Sequence, residues 1–448
     1  MYTNKQLSIN IYKMETPIKA DFEEFSLEGI KPHDSAVVIP TVASTKHSRF
    51  GTHAYYFLNF KTGKGVCVRI RHTDIILPGI RGLSEAYHKQ YRLLHGLRLL
   101  FETFHYKFNY FEQIMLMTVP HTVTEAGNGR FIISLWSYFM YFIVDLRNKT
   151  VVRRSADSNY QNHVFGAKQW FLPESDSHLY MTYSLKDSMR KVLNPMERVY
   201  SHILKRENRT DRVEEIWSGY FADYMHDILL SNDNNYLVVC ELGRFSDQNG
   251  SLIPSKALIL DLQNKKKWVI SSVPNAAHAQ FDPDDSGIVY FSNHNFQFEH
   301  TPFKDLFKRG SYTLKFFGPA SVHKYRLTPN GPEETSAFTA PDLFRLTNFH
   351  VFKHRDRKIL AAMGAPNLIF IADTEEMKFI RKFEIVNPDS DAYIGTFTPS
   401  FDGEKLYIQT TRSFQIVDVS SAKREFIRSY KCNHTCSNHS ITSRDADW

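Results

Sequence analysis

The chain has 448 residues, too many for one small core and enough for several domains or one large repeat-built domain. It is 42% hydrophobic and 23% charged, an ordinary balance for a soluble globular protein, and its net charge of +7 is too mild and too dispersed for non-specific nucleic-acid binding. Four cysteines in 448 residues (Cys67, Cys240, Cys432 and Cys436) do not indicate a disulfide framework.

In chain order, residues 1–23 read as an N-terminal extension. They carry no apolar h-region, so no signal peptide is expected and the protein reads as cytoplasmic. A first group of strands follows in "FSLEGIKP", "AVVIPTVAS", "AYYFLNF" and "GVCVRI". Residues 80–118 break the pattern. Apolar side chains at Leu83, Tyr87, Tyr91, Leu94, Leu97, Phe101 and Phe104 keep a three-and-four spacing, which predicts an amphipathic helix inserted between strand groups. The second group is "HTVTEA", "RFIISLWS", "YFMYFIVDL" and "TVVRRS". Its most apolar run, 131–146, holds Ser134, Ser137 and Asp145 and is short for a membrane span, so no transmembrane segment is expected.

The third group is "KQWFLP", "HLYMTY", "RVYSHILKR" and "VEEIWSG". The fourth starts at His226 and continues in "YLVVCE", "KALILDL" and "KKWVISS". The fifth starts at His278 and includes "IVYF", "SVHKYRL" and "EETSAF", with an aromatic, basic loop insertion at 295–319. The sixth and seventh cover 350–385 and 394–430 and follow one plan, with Asp373 and Asp418 in the same place. Residues 431–448 read as a C-terminal tail. The aromatic content of 14% suits strands.

Seven groups of four strands over 24–430 predict an all-β fold, a seven-bladed β-propeller with a helical insertion. The segment "SFDGEKLYI" in the seventh group resembles the YVTN-type propeller repeat, with its Asp-Gly turn and following strand. That resemblance implies a fold and not an activity.

Histidine recurs in one register. From His278 to Val289 in the next strand is eleven positions; His226 to Leu237 and His121 to Ile132 give the same count, and His350 to Leu360 gives ten. The equivalent positions in blades 1, 3 and 7 are Leu27, Lys168 and Gly395. Histidine fills 20 of 448 positions, so seven random positions would hold fewer than one, against four observed. The innermost strands of a propeller line its channel, and their starting ends share one mouth. Four imidazoles there form a candidate transition-metal site, iron(II) above all, made of His121, His226, His278 and His350. The alternative is that each histidine bonds a neighbouring backbone carbonyl.

This constellation is similar to that of the carotenoid cleavage oxygenases, seven-bladed propellers with an axial iron held by four histidines. The resemblance implies these four residues as ligands. "HAQFDPDD" is also a little like a strand of the oligogalacturonate lyases, whose channel histidines hold a metal. "DPDDSG" at 282–287 has the acidic start of a calcium loop, but Asn293 stands where the closing Glu belongs, so it reads as a turn. "CNHTCSNH" at 432–439 offers two thiols and two imidazoles outside a standard zinc spacing. Lys168 reads as a surface lysine or as a charge partner in the channel. The expected function is a metal-dependent, non-heme iron oxygenase acting on a lipophilic or aromatic small-molecule substrate in the channel. The alternatives are a metal-assisted lyase on an acidic sugar and a non-catalytic interaction scaffold.

Overall fold

The computed structural model describes residues 15–448 except 34, 44–51, 72–119, 136–139, 156–157, 161–162, 185, 188–189, 191–195, 222–223, 244–248, 274, 299–313, 366, 386–393, 411–413, 427–440 and 444–447. The predicted helix at 80–118 and the "CNHTCSNH" segment lie outside the described residues. Among those described, strands dominate and no helix is long and apolar enough to cross a membrane.

Seven antiparallel sheets form the blades of a β-propeller. Blades 3 to 7 each hold four consecutive strands, as the repeats predict, with blade 5 interrupted by a two-stranded ribbon of Phe296–Phe298 and Leu314–Phe316. Blade 2 adds the strand Glu15–Ile18 to its outer edge, against Thr150–Ser155. Polar turns set the strand lengths. In blade 7 the Asp-Gly turn places Gly403 at φ +67°, where a Cβ would meet the backbone of Lys353 in blade 6.

Blade 1 departs from the expected plan. Its order is Asp21–Ser26, Lys64–Arg71, Thr52–Asn59, Ala36–Ala43 and Ile441–Ser443. The "FSLEGIKP" stretch begins at the outer edge of the blade, not at the channel. Leu27 accordingly packs in the core between blades 1 and 7, with Tyr56 and Tyr407. The innermost strand comes from the segment read as a tail: Ile441, Thr442 and Ser443 pair with Val38, Val37 and Ala36. The ring therefore closes by hydrogen bonding a late strand to an early one in one sheet, which covers the inner edge of Ala36, Val37 and Val38.

Seven apolar clusters hold the ring, centred on the seven blade interfaces. Phe57 against Phe131 joins blades 1 and 2, with ring centroids 5.1 Å apart. Tyr407 stacks on Phe60 at 5.2 Å across the closing interface. Radial packing of this kind fixes the inner strands around a common axis, and that axis is where the histidine register points.

Candidate functional site

The inner strands do not run as regular ladders to their starting ends. In blade 2 the pairing jumps from Pro120–Leu135 to Thr122–Ser134, so His121 is an extra residue in a β-bulge. Blade 4 jumps from Met225–Glu241 to Asp227–Cys240, which makes His226 the extra residue. Lys168 falls in the corresponding irregularity of blade 3, between Phe165 and Gln169, and Gly395 in that of blade 7. A bulge re-aims the side chain it carries. Here it turns His121, Lys168 and His226 into an axial cavity of about 640 Å³. His278 stands just before the strand Ala279–Phe281, where its carbonyl accepts the Ser292 N–H at 2.8 Å.

The structure brings three of the four predicted residues into a row. His121 Nε2 lies 2.7 Å from His226 Nε2, and the ring centroids are 4.7 Å apart. His278 continues the row, its centroid 4.5 Å from that of His226. All three are buried. His226 Nδ1 donates to the Ala277 carbonyl at 3.0 Å, so its Nε2 carries the lone pair and His121 donates across the pair. Burial, with His278 adding to it, pushes the His226 pKa down to about 3, and the imidazole is neutral at neutral pH.

His350 lines the same cavity but is used differently. It pairs regularly with Ala361, beyond the bulge of its strand, and its Nε2 donates to the Phe397 carbonyl of blade 7 at 3.0 Å. Burial lowers its pKa to about 4.

Two further members of the site are not in the predicted set. Asp227, next to His226, is buried and takes the Lys168 ammonium at 2.7 Å. Its other oxygen lies 3.3 Å from the Ala279 N–H and 3.5 Å from His278 Nδ1. Burial works to raise the carboxyl pKa, but Lys168 and His278 outweigh it and hold the group below the usual carboxylate range. Strict strand alternation would put His226 and Asp227 on opposite faces; the bulge lets both line the cavity. His294 is the second. Its centroid is 5.2 Å from that of His278, so the row of rings extends outward in blade 5 although His294 is off the register.

Below the polar end the wall is apolar, with Trp170, Leu229, Phe281, Phe349 and Ile441. Lys168 lies 5.5 Å over the Trp170 ring. Among the described residues no group of three or more His, Cys, Asp or Glu is arranged to hold a metal ion as it stands. The "DPDDSG" segment is a turn: Asp282 Oδ1 accepts the N–H groups of Asp284 and Asp285 and meets Lys358 Nζ at 3.0 Å.

No family model and no curated protein matches the chain. Several solved structures have a similar fold at low identity. Kuenenia stuttgartiensis hydrazine synthase is 13% identical, with 72% of this chain and 87% of that one covered and a TM-score of 0.46. The dihydro-heme d1 dehydrogenase NirN is 10% identical over 93% and 79%, with a TM-score of 0.46. Kluyveromyces lactis Hsv2 is 13% identical over 66% and 73%, at 0.39.

Proposed function

We propose that the protein is a metal-dependent enzyme, a non-heme iron(II) oxygenase, whose substrate is a neutral lipophilic or aromatic small molecule held in the axial cavity. The observation that carries the reading is the 2.7 Å approach of two buried imidazole Nε2 atoms, His121 and His226. Two imidazole nitrogens that share one ion come this close to each other, and the pair would hold an ion once the rings had turned to aim their lone pairs at it instead of at each other. Imidazole donors suit non-heme iron(II); the carboxylate of Asp227 would join them only by releasing Lys168 or the Ala279 N–H, which engage its two oxygens. Such an ion would supply dioxygen and one-electron chemistry. His350 does not fit as a ligand through Nε2, which is committed to Phe397; His278 is the better third candidate.

The chain's own residues set the substrate class. Lys168 is the one lysine or arginine among the described lining residues, and Asp227 holds it in an ion pair. An acidic sugar would meet a paired cation, which weighs against the lyase alternative. The apolar wall, with Trp170 and Phe349, suits a ring or chain that leaves water on entry.

The test is elemental analysis of the purified chain, as isolated and after reconstitution with iron(II). About one equivalent is expected in the wild type. At least ~10-fold weaker retention is expected in His121→Ala and His226→Ala. His163→Ala, in blade 3 beside Tyr160 and His202, is expected to keep its metal. Absence of metal from the wild type under both conditions overturns the reading.

A second reading has its own support. Polar groups of the inner strands repeatedly bond the next blade: Thr122 Oγ1 to the Ala167 carbonyl, His226 to Ala277 and His350 to Phe397. On that reading the imidazoles are stitches between blades and the propeller is a non-catalytic scaffold. A metal-free wild type is the outcome that favours it.

A further inference from the structure

Blade 5 carries a second group of reactive side chains, well outside the axial row. Its third strand, Ser321–Thr328, has Ser321, His323 and Tyr325 at alternate positions, hence on one face. Val322 points the other way, into the core between blades 5 and 6. The neighbouring strand, Gly331–Thr339, has a register shift opposite Lys324 and Tyr325, and this brings Glu334 level with both His323 and Tyr325. Ser321 Oγ lies 2.8 Å from His323 Nε2, and His323 Nδ1 lies 2.8 Å from Glu334 Oε1. The second Glu334 oxygen accepts the Tyr325 hydroxyl at 2.7 Å, and Ser272 Oγ lies 2.5 Å beyond.

We propose that Ser321, His323 and Glu334 form an acyl-transfer site that takes small carboxylic esters, separate from the axial cavity. The connectivity is that of a nucleophile, a general base and an orienting acid. Glu334 accepts the Nδ1 proton of His323, which fixes the tautomer and leaves the Nε2 lone pair facing the Ser321 hydroxyl. Tyr325 and His323 hold the Glu334 carboxyl below its ordinary range against the opposing effect of burial, so the acid is ionised when it does this. The side chains remain reachable, with 16% of His323 and 37% of Glu334 exposed. An open face of this kind suits a short acyl group.

The step balances with ester and water alone. Ser321 Oγ bonds to the acyl carbon as its proton passes to His323 Nε2. The C–O bond to the leaving alcohol breaks, and the alcohol takes that proton. Water then attacks the acyl-serine ester, gives a proton to His323 Nε2, and the serine is released with its proton restored.

The experiment uses the purified full chain with a fluorophosphonate probe and, in parallel, p-nitrophenyl acetate. Peptide mapping is expected to find the phosphonyl group on Ser321. Ser321→Ala is expected to abolish labelling and the ester burst. His323→Gln is expected to slow labelling by roughly 10²-fold and Glu334→Gln by roughly tenfold. All three changes lie on a partly exposed strand face, and circular dichroism checks that each variant is folded. A folded wild type that is not labelled, or labelling that is unchanged in Ser321→Ala or His323→Gln, overturns the proposal.

Discussion

Asp227 and Lys168 join blades 3 and 4 through a 2.7 Å ion pair at the polar end of the axial cavity. Both sit at an interruption in the ladder of an inner strand, between Phe165 and Gln169 in blade 3 and between Met225 and Asp227 in blade 4. The Asp227 side chain is 5% exposed, so its charge depends on this partner and on the Ala279 N–H. Lys168→Met is expected to cost about 2–3 kcal/mol, because it strands a buried carboxylate. The double variant with Asp227→Asn is expected to recover most of that loss. Urea unfolding midpoints of the two variants beside the wild type check it; equal loss in both would refute the coupling.

His178 makes folding sensitive to acid. It is fully buried in blade 3, with Nε2 accepting the Tyr141 hydroxyl at 2.9 Å and Nδ1 donating to Asn208 Oδ1 at 2.9 Å. Burial, then the nearby Arg206 and Arg154, pushes its pKa down to about 3. The unfolded state takes up a proton near the ordinary value of about 6.5. Between those limits the unfolded chain binds more protons, so stability falls as pH falls. Between pH 7 and pH 5 His178 is expected to account for about 2 kcal/mol of lost stability. Denaturant titrations at the two pH values should show a loss smaller by that amount in His178→Gln.

Closure of the ring makes a further demand. Ser443 is fully buried, Thr442 bonds the Pro399 carbonyl of blade 7 at 2.5 Å, and Ile441 lines the axial cavity. Trp448 packs edge-on against Phe57, with centroids 6.2 Å apart. Ending the chain at residue 440 removes a three-residue ladder and these contacts. The expected cost is about 3–5 kcal/mol, from the lost hydrogen bonds and the re-exposed apolar surface. A thermal melt of the truncated chain measures it, and a melting temperature equal to that of the full chain would contradict the closure.

The blades were legible because each repeat states its own strands and turns locally, as the "SFDGEKLYI" segment and the Asp373 and Asp418 turns do. The closing strand was not, since pairing of Ile441 with Val38 is a contact between residues far apart in the chain with no local signature. "FSLEGIKP" reads as a first strand by position alone; only its Phe25 and Ser26 are in a strand, Asp21–Ser26, which buries no residue and lies at the outer edge. His121, His226 and His278 were visible through their common register. Asp227 was hidden because alternation assigns it to the opposite face from His226, and a bulge is not written in a hydrophobic pattern. His294 was hidden for another reason: it follows the second strand of blade 5 and reaches His278 only when the sheet is assembled.

The Asp-Gly turn of blade 7 gives a sharp test of blade packing. An added Cβ at Gly403 would overlap the Lys353 carbonyl, and the position also requires φ +67°. The Gly403 carbonyl accepts His354 Nδ1 at 2.9 Å, which ties the turn to blade 6 and leaves little room to shift. Gly403→Ala is expected to destabilise by about 2–4 kcal/mol, combining left-handed strain with the backbone clash. Gly63 also has positive φ but no atom within 4 Å of an added Cβ, so Gly63→Ala is expected to cost about 1 kcal/mol. Chemical denaturation of the pair separates the clash from the strain, and equal losses would dismiss the clash.

His350 separates the two roles open to the channel imidazoles. Its Nε2 bonds the Phe397 carbonyl, whereas the Nε2 atoms of His121 and His226 face each other. Asn348 Nδ2 reaches the same carbonyl at 3.2 Å, so the acceptor is not abandoned when the imidazole goes. His350→Ala is therefore expected to cost only about 1 kcal/mol of stability and to leave bound metal within twofold of the wild type. His226→Ala is expected to lose metal as well as its bond to the Ala277 carbonyl. Metal content and unfolding midpoint, measured on the same preparations of the two variants, decide between the roles. If His350→Ala loses metal as completely as His226→Ala, the site is a four-histidine one and the Phe397 bond must break on binding; if neither variant differs from wild type in metal content, the imidazoles are stitches between blades.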